Sequence, residues 1–375
     1  MSMQKEFYGV IGMGTKERIL QIGLSRVLGG IEMVIGNYGM QLQKQNIAFD
    51  YVDIYGDGLA IEHGMFADTI VYKLPNYKRR PIYSLWKLTN IIRKGQYKHV
   101  HINMLSAASL LPVLAARMAG VIPVVHSHNS GTVGTVRKLL HTVNAGLLQF
   151  CKVKRIACSE CAGKWLFRNR PFQVIPNAID VDAYRFDANR RQSVREACGI
   201  PQRAVVLGFL GRLTEQKNPL FLIDILQELH TAYEEYFHLL IVGDGELRRE
   251  MEESVREKGL ADYVHFAGTQ KYAAPWYSAM DLFLLPSIFE GLPLVAVEAQ
   301  ASGLPCFFSD RITREIVLTD LAAFLPITQG AKLWAEKISG KNQTMDRRSS
   351  YGDLLSRSPF SITVGAKELK DVYTK

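Results

Sequence analysis

The stretch Asp281–Ala299, DLFLLPSIFEGLPLVAVEA, predicts the local unit from which the chain is built. Its first part is an apolar strand that ends near Pro286. A turn with Glu290 and Gly291 follows, and a helix is predicted from Pro293, because proline is favoured at the first helical position. A strand that leads through a short loop into a helix indicates a parallel sheet covered by helices.

The loop and the helix start in this stretch carry the strongest sign of chemistry. The first backbone N–H groups of a helix have no partner inside the helix and suit a negatively charged ligand. Glu298 lies more than a turn into the helix between apolar neighbours, so its carboxylate needs a polar partner. Two sugar hydroxyls would serve, and so would a buried ion pair. For Glu290 the alternative is a helix cap.

On either side of this stretch, short apolar runs alternate with segments of helix length. Strands are predicted at residues 18–25, 48–54, 99–103, 121–126, 155–158, 173–175, 204–210, 238–242, 264–267, 282–285 and 305–309. The pattern restarts near residue 180, which predicts an α/β chain of two facing, doubly wound, Rossmann-like domains with a cleft between them. In such sheets, ligands bind beyond the carboxyl ends of the strands.

The two domains are placed at residues 1–178 and 179–360. Residues 340–358 are polar and are predicted to be irregular, and the elements after residue 326 look short. Residues 361–373 are predicted to form a final helix.

Composition excludes several classes of protein. The 375 residues are 47% hydrophobic and 22% charged, which is typical of a folded globular chain rather than a disordered or fibrous one. No apolar run reaches the ~18 residues of a membrane span, and residues 1–16 lack the apolar segment of a signal peptide. Five cysteines are an odd count in a long chain, which indicates reduced thiols and a cytoplasmic location.

Charge is distributed unevenly. The net charge is +9, but residues 1–180 have 22 basic and 10 acidic residues (+12), whereas the remainder has 23 and 26 (−3). The segment Lys73–Lys98 has eight basic residues and no acidic one, interleaved with Tyr77, Tyr83, Trp86 and Tyr97. This composition suits an anionic surface, either a bilayer or a nucleic acid. The alternative is a solvated helix face.

A second group of candidate residues follows the strand at 204–210. Gly211 lets the chain turn, and Arg212 and Lys217 project from one loop before a helix. Two fixed cations near a helix N-terminus suit a pyrophosphate. The alternative is that these are ordinary charges on a surface loop. Because the Arg212 and Lys217 loop occurs together with the Glu290 loop, the functional interpretation is favoured.

Weaker signals lie at other strand ends. Gly29 and Gly30 would let the backbone approach a phosphate, and His126 could hydrogen-bond a ligand. The run Gly243-Asp244-Gly245 is read as a tight turn, and Cys158 and Cys161 as packing residues. The remaining histidines and cysteines are scattered, so no metal site is predicted.

Taken together, these motifs resemble those of retaining glycosyltransferase family 4, which has the GT-B fold, and within it the bacterial exopolysaccharide and capsule enzymes. The motifs that carry the resemblance occur in the family's order: Gly29-Gly30-Ile31-Glu32, His126-Ser127-His128-Asn129, Ile175-Pro176-Asn177-Ala178-Ile179-Asp180, Gly211-Arg212 with Lys217, Ile241-Val242-Gly243-Asp244-Gly245, and Glu290 with Glu298. The last pair has the spacing of the family's E-x7-E motif.

The resemblance implies a role for each of these positions. Arg212 and Lys217 would hold the donor diphosphate, Glu298 the ribose, and Glu290 the hydroxyls of the donor sugar. The donor-binding set implied around them is Gly211, Gly268, Thr269, Gly291, Leu292, Pro293 and Leu294, with Gly29 and Gly30 from the opposite domain. His126 would contact the donor sugar near the reacting carbon. The terminal helix, residues 361–375, would pack back on the N-terminal, acceptor-binding domain.

The function implied is retaining, metal-independent transfer of a sugar from a nucleotide-sugar donor, with UDP as the expected nucleotide. The acceptor would be a growing, polyprenyl-linked polysaccharide, no cofactor would be needed, and Lys73–Lys98 would dock on the inner face of the plasma membrane. Two alternatives stay open. A nucleotide-sugar epimerase can share this fold, and a nucleic-acid-binding protein would explain the basic half but not Glu290 and Glu298.

Overall fold

The computed structural model describes residues 16–24, 30–54, 69–77, 79–129, 131, 134–233, 236–340 and 347–374. The chain forms two compact units. Unit 1 comprises Met1–Pro176 together with Gly365–Lys375, and unit 2 comprises Asn177–Val364. No helix in these ranges combines the length and the apolar character needed to cross a bilayer.

Unit 1 contains a parallel sheet whose seven described strands have the order β3-β2-β1-β4-β5-β6-β7. The strands are β1 Glu17–Ile22, β2 Ile47–Asp53, β3 Val71–Lys73, β4 His99–Met104, β5 Val124–Ser127, β6 Lys154–Ala157 and β7 Gln173–Val174. The helices are α1 Gly30–Gln43, α2 Pro81–Lys94, α3 Leu111–Met118, α4 Thr135–Leu148, α5 Glu160–Phe167 and the terminal α13 Ile362–Thr374.

The two faces of this sheet bury different kinds of residue. Alternate side chains of a strand point to opposite faces. In β4, Val100 and Ile102 join the apolar cluster that is formed with Leu88 of α2 and Leu166 of α5. The intervening His101 is fully buried on the other face, where α13 packs. The second face therefore buries both polar and apolar neighbours of His101, such as Gln21 and Val124.

Unit 2 contains a parallel sheet whose six described strands have the order β10-β9-β8-β11-β12-β13. The strands are β8 Val205–Leu210, β9 Phe237–Val242, β10 Val264–Gly268, β11 Leu282–Leu285, β12 Cys306–Ser309 and β13 Ala322–Leu325. The helices are α6 Ala188–Ala197, α7 Leu220–Ala232, α8 Arg248–Glu257, α9 Ala274–Ala279, α10 Leu294–Ala301, α11 Gly330–Ser339 and α12 Arg348–Ser356.

One structural prediction is wrong. The polar segment 340–358 was expected to be irregular, but it contains the helix α12, and residues 341–346 lie outside the described ranges. This helix is anchored by the buried side chain of Arg348, which donates to the backbone oxygens of Ser302 (3.0 Å), Met280 (2.8 Å) and Tyr277 (2.9 Å). Because the Arg348 side chain is buried through hydrogen bonds, the sequence of α12 shows no apolar stripe.

Candidate functional site

Three of the strand-end loops named from the sequence meet at one edge of the unit 2 sheet. Gly211, after β8, donates its backbone N–H to the oxygen of Val242 at 3.0 Å. Gly243, after β9, donates to the oxygen of Gly268 at 2.8 Å, which brings the end of β10 to the same edge. The parallel order β10-β9-β8 places these carboxyl ends side by side. The turn expected at Gly243-Asp244-Gly245 lies slightly later in the chain: the Arg248 N–H donates to the Gly245 oxygen at 3.1 Å, across residues 246–247.

The loop after β11 is tied to the loop after β8. The backbone N–H of Ile288 donates to the oxygen of Gln216 at 2.8 Å, and the Gln216 side-chain amide donates to the oxygen of Phe289 at 3.0 Å. Beside these bonds, Lys217 Nζ lies 2.6 Å from Glu290 Oε1. The two residues that the sequence separates by more than seventy positions therefore form an ion pair.

This ion pair is partly shielded from solvent, with 17% of the Lys217 side chain and 9% of the Glu290 side chain exposed. An ammonium group has three N–H donors, so Lys217 keeps donors for a second anion. Arg212 is exposed, and no partner for its guanidinium is found in the described part of the chain. The loop thus offers one free cation and one cation shared with a carboxylate.

Unpaired backbone donors lie next to this pair. The Leu292 N–H donates to no backbone oxygen in the described part of the chain, and Glu290, two residues before it, forms an isolated β-bridge with Ile312. Helix α10 begins at Leu294, with Pro293 before it, so the Leu294 N–H has no partner within the helix. The predicted anion-binding helix start is therefore present beside Glu290.

Glu298 is buried in α10 and is held by two tyrosines. Its Oε1 accepts from the Tyr184 phenol at 3.0 Å, and its Oε2 accepts from the Tyr277 phenol at 2.7 Å. Burial raises the pKa of Glu298, and the two hydrogen bonds act in the opposite direction. The ion-pair alternative considered from the sequence is wrong, because both partners are neutral. Neither tyrosine carries a sequence signal that would have identified it.

The unit 1 candidates lie at the start of α1 and in β5. Gly30 is exposed and opens α1, whereas Gly29 lies outside the described residues. His126 is buried in β5 between two other histidines, His101 at 3.2 Å between ring nitrogens and His128 with ring centroids 3.9 Å apart. Burial lowers the pKa of His101 and of His128 to about 3, and that of His126 well below its ordinary value.

The remaining sequence candidates divide between surface and core. Gly268 ends β10, and Thr269 after it is exposed. Cys158 is buried in the core as predicted, but Cys161 is exposed, so its assignment as a packing residue is wrong. Within the described ranges, no group of three or more His, Cys, Asp or Glu side chains is arranged to hold a metal ion.

A stability test follows from the close approach of Gly243 to Gly211. Gly243 has φ +134°, and a Cβ there would lie 1.9 Å from the Gly211 backbone oxygen. We expect Gly243→Ala to lower the free energy of unfolding by about 3 kcal/mol, because backbone strain and overpacking add. The control is Gly259→Ala, which has φ +65° and open space, with an expected loss of about 1 kcal/mol. Equal losses in urea unfolding would contradict the packing argument.

The family described as Glycosyltransferase Family 4 matches residues 28–183, and the family described as Glycosyl transferases group 1 matches residues 204–340. Each family model thus falls largely within one of the two units.

Individual relatives agree with this match. The putative glycosyltransferase EpsF of Bacillus subtilis is 30% identical over 340 residues, covering 87% of this chain and 88% of its own length. The UDP-Gal:alpha-D-GlcNAc-diphosphoundecaprenol alpha-1,3-galactosyltransferase of Escherichia coli is 30% identical over 240 residues, covering 60% and 61%. Among solved structures, Anabaena Alr3699/HepE in complex with UDP covers 95% of this chain and 99% of its own, with TM-score 0.79 and 18% identity.

One assignment is supported by the two parallel-sheet units and by the strand-end loops that bring Lys217 to Glu290. It is also supported by the Bacillus subtilis relative, which matches most of this chain. The expected GT-B fold is confirmed by the structural neighbour, whose similarity extends over nearly the whole of both chains. The chain is a glycosyltransferase with the GT-B fold and belongs to glycosyltransferase family 4.

Proposed function

We propose that this enzyme transfers a sugar, with retention of anomeric configuration and without a metal ion, from a UDP-sugar to a polyprenyl-linked saccharide. The observation that carries the proposal is the Lys217–Glu290 ion pair at 2.6 Å beside the backbone N–H groups that open helix α10. An ammonium and oriented backbone donors in one loop suit a diphosphate leaving group and the hydroxyls of the sugar attached to it.

The charges of this loop fit the charge changes of the reaction. Breaking the anomeric C–O bond builds positive charge on the sugar and negative charge on the departing diphosphate, as in glycoside hydrolysis. In the proposed mechanism Arg212 and Lys217 stabilise the diphosphate, and Glu290 accepts hydrogen bonds from the sugar. Glu298 would bind the ribose. An oxygen of the leaving phosphate would take the proton of the attacking acceptor hydroxyl on the same face.

The relatives support the choice of donor and acceptor. The E. coli relative is named as a transferase from UDP-Gal to a GlcNAc-diphosphoundecaprenol, and the Anabaena structure contains UDP. The five cysteines, all free, are consistent with a reducing, cytoplasmic setting for such a reaction.

The assay uses the purified full-length chain with UDP-galactose, UDP-glucose and UDP-N-acetylglucosamine in turn. A short-chain polyprenyl-diphosphate N-acetylglucosamine serves as the acceptor. We expect UDP release that depends on the acceptor, an α-linked product and no loss of rate with EDTA.

Two results would contradict the proposal. The first is the absence of transfer from all three donors. The second is release of an altered nucleotide sugar without acceptor, which would establish the epimerase alternative instead.

We further propose that unit 1 docks on an anionic membrane through α2, within Lys73–Lys98. This helix exposes Ile82 (84%) and Trp86 (60%), and Tyr83 lies beside Trp86 with ring centroids 5.9 Å apart. Exposed aromatic and aliphatic side chains among lysines and arginines are typical of interfacial helices. One aromatic residue of the segment does not fit this interpretation, because Tyr97 is buried and donates to Asp50 at 2.6 Å. Lys78 lies outside the described residues.

A longer stretch of unit 1 is also basic and exposes apolar side chains. Between Asp68 and Glu160 the sequence has fourteen Lys and Arg residues and no Asp or Glu. Within this span, α4 exposes apolar side chains on one face at helical spacing: Val136, Leu139, Leu140, Val143, Leu147 and, just after the helix, Phe150. A basic surface with apolar side chains attracts anionic lipid and can insert into it.

The membrane proposal predicts binding that depends on lipid charge and on Trp86. We expect the protein to sediment with vesicles that contain anionic phospholipid and not with neutral vesicles, and Trp86→Ser to weaken this binding severalfold. The matched control is Tyr272→Ser, which removes a side chain that is 71% exposed on unit 2 and should leave binding unchanged. Equal binding to both kinds of vesicle, or none, would refute the proposal.

A further inference from the structure

A chain of buried polar side chains links the terminal helix of unit 1 to His126. The Tyr373 phenol of α13 lies 2.6 Å from His101 Nδ1, and His101 Nε2 lies 3.2 Å from His126 Nδ1. All three residues are at most 1% exposed. Each neutral imidazole carries one proton, so the direction of these hydrogen bonds decides which nitrogen of His126 bears it.

A backbone carbonyl sets the orientation of the groups next to this chain. The oxygen of Ile22 can only accept, so the Asn103 atom that lies 3.2 Å from it is the Nδ2 donor. The same Nδ2 donates to Gln21 Oε1 at 3.1 Å. Asn103 Oδ1 therefore faces His128 Nε2 at 2.9 Å and accepts from it. His128 thus has its proton on Nε2 and a free lone pair on Nδ1.

The bond from Asn103 also fixes the orientation of the Gln21 side-chain amide, which interacts with Tyr373. Its oxygen is used by Asn103, so its Nε2 is the atom left for other contacts. Burial raises the pKa of the Tyr373 phenol, and the Gln21 side chain acts in the opposite direction, which is the effect of a donor near the phenol oxygen. Gln21 Nε2 does not complete a well-aligned hydrogen bond in the described structure. The phenol O–H then needs an acceptor, and His101 Nδ1 at 2.6 Å is that acceptor in the described structure.

The proton positions of the two remaining rings follow from this direction. His101 accepts at Nδ1, so its proton is on Nε2, from which it donates to Nδ1 of His126. The proton of His126 is then on Nε2. Complete burial of the three histidines favours the neutral ring, because it lowers the pKa of each of them.

We propose that Tyr373, acting through His101, is a positioning residue that fixes His126 as a hydrogen-bond donor through Nε2. No partner for His126 Nε2 or for His128 Nδ1 is found in the described part of the chain. The two adjacent rings, tilted by 38° to each other, therefore present one donor and one acceptor, which complements a neutral hydroxyl such as that of a sugar. The proposal rests on the proposed function for the identity of this ligand. It also excludes His126 as the catalytic base, because its lone pair faces His101.

The direct test is the tautomer of His126 in the full-length, ligand-free protein, read from ¹⁵N chemical shifts with labelled histidine. Protonated and unprotonated ring nitrogens differ widely in this shift, and a His126→Asn sample assigns the signals. We expect His126 and His101 each to be protonated on Nε2. A proton on Nδ1 of His126 would overturn the proposal whether or not the protein transfers a sugar.

Two variants test the role of Tyr373. Tyr373→Phe should give His126 signals of both tautomers and about a tenfold lower kcat/KM for the donor. The reason is that, without the phenol O–H, nothing fixes the direction of the hydrogen bonds from residue 373 through His101 to His126. The matched control is Tyr38→Phe, which removes another buried phenol of unit 1, one that donates to the Pro176 oxygen at 2.9 Å. It should leave the tautomer and kcat/KM unchanged.

The outcomes separate this proposal from the proposed function. An unchanged His126 tautomer in Tyr373→Phe would overturn the positioning role. If Tyr373→Phe does not fold, the tautomer of the unaltered protein still decides. If the protein shows the expected tautomers but transfers no sugar from any donor, the positioning role is supported and only the proposed function is refuted.

Discussion

Replacing Lys217 with alanine is expected to lower kcat/KM for the nucleotide-sugar donor by about 10²–10³-fold. The reason is that its ammonium is fixed by Glu290 at 2.6 Å, in a loop held by the backbone bond between Ile288 and Gln216. A cation that is already positioned stabilises a leaving diphosphate without reorganisation during the reaction. The measurement is steady-state kinetics with saturating acceptor.

Loss of Lys217 also removes the partner of a largely buried carboxylate, so a second variant is needed to separate the two effects. In Lys217→Ala/Glu290→Gln, the side chain at 290 is neutral and needs no cation. If Lys217 served only to neutralise Glu290, this double variant would be as active as Glu290→Gln alone. We expect it to be less active than Glu290→Gln, because the diphosphate would still lack its ammonium.

A matched control exists in the same unit. Lys258 forms an ion pair with Asp224, away from the strand-end loops. Lys258→Ala removes one cation and one ion pair and should leave kcat/KM within about twofold, since this pair lies away from the strand-end loops. A comparable loss in both lysine variants would mean that net charge, rather than the position of Lys217, determines the rate.

Acidification is expected to destabilise unit 1 steeply below pH 6.5. Burial lowers the pKa of His101 and His128 to about 3 and that of His126 further still, whereas a histidine in the unfolded chain titrates near 6.5. Between these values, these three rings bind up to three more protons in the unfolded state than in the folded state. The free energy of unfolding therefore falls as the pH falls, and at pH 7 this contribution is fully present.

The expected size of this effect is about 1.4 kcal/mol per pH unit for each histidine, or about 4 kcal/mol per pH unit for three. Urea unfolding at a series of pH values between 8 and 5 measures it as the number of protons taken up. His101→Asn should reduce that number by about one. A free energy of unfolding that does not change over this range would show that the three rings are not held neutral.

Much of the architecture follows from sequence periodicity. The parallel strands and the helices after them were located because each strand is a short apolar run that ends in a polar loop. The motif residues were located because their side chains are polar at strand ends. The predicted strand at 282–285 coincides with the observed β11.

Contacts across the sheet could not be predicted in the same way. Lys217 and Glu290 were both named from the sequence, but their contact depends on β8 and β11 being neighbours, which is a property of strand order. The tyrosines that hold Glu298 and the bond from Tyr373 to His101 join residues 21 to 272 positions apart. A buried phenol in such a contact looks, in sequence, like any other aromatic core residue.

The helix predicted as an irregular segment has a physical reason for being missed. Helix α12 has few apolar residues and is anchored by the hydrogen bonds of Arg348 to three backbone oxygens. A prediction from hydrophobic periodicity treats such a segment as exposed and irregular. Burial through hydrogen bonds leaves no periodic signal.

In the proposed mechanism the loops after β8 and β11 hold the diphosphate of a UDP-sugar, which a crystal structure of the full-length protein with UDP would show. We predict the diphosphate within hydrogen-bond distance of Lys217 Nζ and the Arg212 guanidinium, and the ribose hydroxyls on Glu298. UDP bound elsewhere, or both cations turned away from its phosphates, would refute the mechanism.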